Sequence, residues 1–154
     1  MSTDYFLFVN SENFPEVDLP LLACNEGVLL DKSGKLFIEG LICTFWKEMD
    51  QSHRATMLND FGAYGQDYNW FVTGRYDKEA CINELVERLA QCAASLVASR
   101  PLVPLALMRN AESFYVLNTP ASLTLSPVCI DDDGVIPALF RRPFTRRHID
   151  NYDT

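Results

Sequence analysis

A chain of 154 residues is the size of one domain and long enough to bury about two-thirds of the surface its unfolded form exposes. With 48% apolar and 22% charged residues it lacks the low hydrophobicity and high charge of a disordered protein. The net charge of -8 argues against a general electrostatic grip on nucleic acid or on an anionic membrane surface, and favours a basic partner.

Along the chain, Tyr5 to Val9 is short, aromatic and β-branched, which predicts a strand buried on both faces near the centre of a sheet. Asn10 to Pro20 reads as loop. Val28 to Leu30 and Leu36 to Ile38 flank Asp31-Lys32-Ser33-Gly34-Lys35, a hairpin in which Gly34 supplies the positive φ. Leu41 to Met49 has strand composition with a competing helical spacing at Ile42, Phe45 and Met49, and strand is the better reading. A short helix follows from about 53 to 61, capped by Ser52, with Met57, Leu58 and Phe61 inward and Gly62 placed to end it. Asp67 to Tyr76 reads as a strand.

The strongest periodicity lies between Lys78 and Ser99, where Ile82, Leu85, Val86, Leu89, Cys92, Ala93, Leu96 and Val97 recur three and four apart. Asp77 is positioned to cap this helix and Pro101 prevents it from continuing. From Cys92 to Ala98 it is apolar nearly all round, so that half must be covered on more than one side. Strands are predicted for Leu102 to Met108, Ser113 to Leu117, Leu123 to Ile130 and Val135 to Phe140. The whole is a single α+β domain over residues 1–140, mainly antiparallel sheet packed against the long helix (about 78–99), followed by a basic tail over 141–154.

Chemistry-bearing motifs are scarce. His53 and His148 sit in no motif, and the chain has no GxSxG, HExxH or phosphate-cradling glycine loop, so no cofactor, metal or catalytic residue is assigned and an enzyme is not expected. Cys24, Cys43, Cys81, Cys92 and Cys129 show no CxxC or zinc spacing and read as reduced, buried thiols of a cytoplasmic protein. No stretch approaches the roughly 18 uncharged apolar residues of a membrane span, and no signal-peptide pattern opens the chain.

The candidate partner-binding residues are Tyr64, Asp67 and Tyr68, in a segment mixing aromatics, amides and a carboxylate, and the acidic run Asp131, Asp132 and Asp133. Trp70 is read as core, and Glu84, Glu87 and Arg88 as solvated helix positions. Arg141, Arg142, Arg146 and Arg147 form the one basic cluster, a weak nucleic-acid signal that is more simply explained by a tail lying back on the acidic body or pairing with a second copy. The leading expectation is an acidic protein-binding domain, an inhibitor or immunity protein that occludes the active site of a basic toxin or enzyme. An accessory or adaptor subunit is the alternative, and a small enzyme of unfamiliar type the third.

Overall fold

The computed structural model describes residues 3–60, 65–110, 112–127 and 134–150, with the main chain alone at 150. It is an α+β fold: a mostly antiparallel sheet carries one long helix and three short ones. In sheet order the strands are β4 (Leu41–Glu48), β5 (Trp70–Tyr76), β1 (Asp4–Val9), β6 (Leu105–Arg109), β7 (Ser113–Asn118), β8 (Leu123–Leu125) and β9 (Thr145–Arg146). β10 (Ile149–Asp150) pairs with the start of β7, and β2 (Val28–Leu30) with β3 (Leu36–Ile38) forms a separate two-stranded ribbon.

β1 lies in the interior of the sheet, between β5 and β6, as its apolar composition predicts. Alternation divides its side chains. Tyr5, Leu7 and Val9 face the long helix α3 (Ile82–Ser99), while Phe8 joins Met49, Met57, Tyr68, Phe71 and Phe114 in a second cluster on the other face. The apolar second half of α3 is covered as its composition demands: β6 and β7 lie beneath it, with α1 (Leu19–Ala23) and α4 (Val135–Leu139) alongside.

Several elements differ from expectation for identifiable reasons. Residues 10–20 contain structure: a π-helical turn, Phe14–Asp18, leads into α1, with Asn13 accepting the Glu16 N–H and Pro15 in the first turn. Phe14 anchors this turn by stacking on Trp70 at 5.6 Å and meeting Trp46 at 6.0 Å. Asp18 is fully buried, its carboxylate held by Arg100 through contacts of 2.7 and 2.9 Å that tie the turn to the end of α3.

The short helix α2 runs Gln51–Asp60 and starts a residue or two earlier than predicted, because Asp50 and not Ser52 caps it by accepting the His53 N–H. Met57 turns inward, but Leu58 is exposed; Phe61 and Gly62 lie outside the described residues. α3 begins at Ile82 because Asp77 spends its carboxylate on the Glu79 N–H of a preceding turn, which also leaves Ile82 exposed. β5 starts at Trp70; before it, the Asn69 main chain still bonds Val9 and Met49 while its side chain exchanges hydrogen bonds with Ser11. β6 starts at Leu105, after Pro104, which brings no N–H to a ladder. β8 ends at Leu125, and residues 128–130 are outside the described set.

Val135–Leu139 is a helix, not a strand. Pro137 falls in its first turn, where a missing N–H costs nothing, and Ile136 and Phe140 are buried.

Within the predicted polar tail, the described residues 141–150 are folded in. β9 pairs parallel with β8, and Ile149, 1% exposed, lies opposite Phe114. Ile149→Ala therefore removes a core side chain and is expected to lower the urea unfolding free energy by about 2–4 kcal/mol. A change under about 0.5 kcal/mol, typical of an exposed tail position, would contradict this packing.

Candidate functional site

The residues singled out from the sequence have different fates where they are described. Tyr64 and Asp131, Asp132 and Asp133 lie outside the described residues. Tyr68 is fully buried and belongs to the core: it packs on Phe8, its hydroxyl is bonded by Gln66 Nε2 at 2.8 Å, and burial pushes its ionisation well above the ordinary range. Trp70 is partly buried against the main core, as expected. Asp67 is committed to Arg54, which donates from Nε at 2.9 Å and from Nη2 at 2.6 Å. That hydrogen-bonded guanidinium holds the Asp67 carboxyl below its ordinary value.

The four arginines of the basic cluster have separate fates. Arg142 Nη1 faces the carbonyls of Pro101 and Thr119 and Oδ1 of Asn118, each at 2.7 Å, while Nη2 reaches the Pro120 carbonyl at 3.2 Å. It fastens the C-terminal segment to the loop after β7 and the start of the α3–β6 connection. Arg146 is in β9 with its guanidinium 6.0 Å from the Phe144 ring, and the Arg147 N–H bonds the Leu125 carbonyl. Arg141, at φ 54°, is exposed at the rim of a shallow groove of about 380 Å³ between α1, α3 and α4. No common basic face results.

The thiols depart from expectation too. Cys24, Cys43 and Cys81 are exposed; only Cys92 among the described cysteines is buried, and burial pushes its thiol up to about 12. Among the described residues no group of three His, Cys, Asp or Glu is placed to hold a metal, and His53 lies edge-on to the Phe71 ring. No helix of the described residues is long and apolar enough to cross a membrane.

A different surface emerges where the β2–β3 ribbon meets α3. The ribbon closes at Gly34, whose φ of 88° supplies the turn, and Asp31 Oδ1 receives the Ser33 and Lys35 N–H groups. Its inner side chains Val28, Leu36 and Ile38 fill the core. Its base is gripped by Arg88 of α3, which is only 16% exposed along its side chain and donates to the Glu26 carbonyl at 3.2 Å and the Glu39 carbonyl at 3.0 Å.

Gly27 permits this approach: a Cβ there would stand 2.2 Å from Arg88 Nε, and its φ of 78° suits glycine. The Glu39 carboxylate lies 3.5 Å from Arg88 Nη2 and is itself 73% exposed. Glu84 and Glu87 occupy neighbouring exposed positions on α3, one turn and one residue before Arg88. Glu39 is thus the carboxylate placed against Arg88, while Glu26, also exposed, meets it through its main-chain carbonyl and Glu84 and Glu87 are exposed on the same helix. Glu84 and Glu87 are visible in the sequence as a helix face; the link to Glu26 and Glu39 runs through backbone carbonyls and has no sequence signal.

Two measurements test these contacts. Arg88→Ala is expected to cost about 1–2 kcal/mol in urea unfolding, chiefly through lost carbonyl bonds and stem packing, because the exposed Glu39 pair contributes little. Amide exchange across residues 26–39 is the local readout, and unchanged protection there would count against the grip.

For Asp67 the folded ionisation lies below the ordinary 3.8, so its contribution is present above that pH and disappears as the pH falls through the lower folded value. Both partners are partly exposed, which limits the effect to under about 1 kcal/mol. The stability gap between the wild-type chain and Asp67→Asn is therefore constant from neutrality to about pH 5 and closes as the pH falls through 3.8 and below; a gap that persists in acid sinks the assignment.

Compared with known proteins, the chain matches no protein-family model, no curated protein and no solved structure, so the functional reading rests on geometry and charge.

Proposed function

We propose that this chain is a small acidic, cytoplasmic protein-binding domain that inhibits a basic protein partner by covering its active site, in the manner of an immunity protein. The observation that carries the reading is the exposure of Glu26, Glu39, Glu84 and Glu87 on the ribbon base and on α3, where Arg88 spends its donors on the Glu26 and Glu39 carbonyls. Four glutamates against one guanidinium leave these two elements net negative there. In a chain of charge -8 such a surface steers a cationic partner and offers carboxylates to its lysines and arginines.

The second reading, an accessory subunit of a larger assembly, is favoured by a separate feature. β4 is an edge strand, and its Ile42 and Phe45 are 45% and 51% exposed. Phe45 extends an aromatic cluster outward through Phe71 to Phe8. Deleting the C-terminal segment does not separate the two readings, because β9 and β10 go with it.

Capture from native lysate, at low salt and at about 0.5 M salt, separates them, since screening acts most on exposed charges. For the inhibitor, a basic protein is retained at low salt, released at high salt and lost on E84K/E87K, and its own activity falls when the chain is added. Retention indifferent to salt and to the charge reversal overturns the inhibitor reading in favour of the assembly subunit.

A further inference from the structure

β4 closes one end of the sheet with a full-length strand, whereas the other end is finished by the two-residue β9. The hydrogen-bond phase along β4 shows which of its main-chain groups are left over. At one end of the β4–β5 ladder the Asp77 N–H bonds the Gly40 carbonyl at 2.9 Å, and at the other the Met49 N–H bonds the Asn69 carbonyl at 2.8 Å. With the bulge between Ile42 and Phe45, both ends agree that Phe45 and Lys47 turn their main-chain groups to β5, opposite Thr73 and Phe71. The N–H and C=O of Trp46 and Glu48, and the Thr44 carbonyl, therefore point away from the sheet. Among the described residues no other strand meets them.

The side chains of this stretch are sorted by face. Trp46 lies opposite Val72 on the α3 side, where its indole N–H bonds the Gly34 carbonyl at 2.9 Å. Phe45 and Lys47 share the opposite face with Phe71, and Phe45, half-exposed, meets that ring edge-on at 6.0 Å. Lys47 is exposed as well. An aromatic ring and a cation two residues apart on one face of an open strand form a pattern that complements itself when read antiparallel.

We propose that β4 pairs antiparallel with β4 of a second copy of this chain, about a two-fold axis at Trp46, so that one sheet runs across both. The two Trp46 residues then exchange both main-chain bonds, and each Glu48 N–H donates to the Thr44 carbonyl of the other copy. Each Phe45 faces the other copy's Lys47 in a non-hydrogen-bonded pair, where opposed side chains approach closest. Neighbouring registers are poorer. An axis at Lys47 opposes two ammonium groups, and an axis at Phe45 sends Lys47 to Cys43 inside the bulge. The bulge shortens the open edge without removing it, because Phe45 to Glu48 stay in register beyond it. This pairing is independent of the inhibitor reading, whose glutamates lie on the ribbon base and α3, and it gives the open edge behind the second reading a defined occupant.

Sedimentation equilibrium of the full chain tests this in reducing buffer, which excludes cross-links through the exposed Cys24, Cys43 and Cys81. Over about 1–100 μM the mass should rise from 17.5 kDa toward twice that value. Glu48→Pro removes an outward N–H that the single chain does not use, so it should weaken association about tenfold or more with unchanged circular dichroism. Phe45→Lys opposes like charges across the axis and should weaken association similarly, while F45K/K47E should restore it, because the opposed charges then attract. A chain that is monomeric at all these concentrations overturns the pairing and leaves the edge to the assembly partner of the second reading. A dimer that Glu48→Pro leaves intact overturns β4 as the interface. Failure of a folded F45K/K47E to recover association overturns the axis at Trp46.

Discussion

The second half of α3 has almost no polar side, and much of the architecture answers to that constraint. Leu89, Cys92, Ala93, Leu96 and Val97 are buried together with Ala90 and Ala94, so water reaches this half only along the Gln91, Ser95 and Ser99 side that borders the groove between α1, α3 and α4. A sheet covers only one side of such a helix. α1 and α4 close the remainder, and each is short and held in place by an ionic side chain: Arg100 on Asp18 next to α1, Arg142 on the carbonyls near α4. Neither helix is long enough to persist alone, so their positions derive from the surface they cover.

These two arginines show how a chain with few cations uses them. Each satisfies buried or half-buried acceptors that would otherwise be costly to desolvate. Arg88 does the same at the ribbon base, where it bonds two main-chain carbonyls and pairs with the exposed Glu39 carboxylate. Positive charge is thus consumed in holding segments together. The carboxylates of Glu26, Glu39, Glu84 and Glu87 remain exposed at the surface.

Much of the fold was legible because its largest elements repeat at a simple period. The spacing of Leu85, Val86, Leu89, Leu96 and Val97 marks α3, and Gly34 between two apolar triplets marks the ribbon. What was not legible depended on distant main-chain partners. Arg142 and Arg88 look like solvent-facing charges because carbonyls leave no trace in residue identity. Val135-Ile136-Pro137 has the β-branched composition of a strand, and the helix wins only because Ile136 and Phe140 find a place beside α3. Tyr68 was read as a surface candidate and is core for a related reason: it precedes β5, in an irregular segment where no alternation says which way a ring points. Of the candidate site, the exposed acids of α3 could be read directly, whereas their union with the ribbon required the tertiary structure.

The interior position of β1 has a consequence for how the molecule is made. Its two neighbours are β5, which ends at Tyr76, and β6, which ends at Arg109, so an aromatic strand made before both waits for partners translated much later. Loop closure over such spans precedes any reward from pairing, which slows folding relative to a helical bundle of equal size. Until β5 emerges from the ribosome, Tyr5-Phe6-Leu7-Phe8-Val9 presents both faces and both edges to its surroundings. The nascent chain is then at its most vulnerable to self-association, and a holdase that shields its first strand would raise the yield of the finished domain.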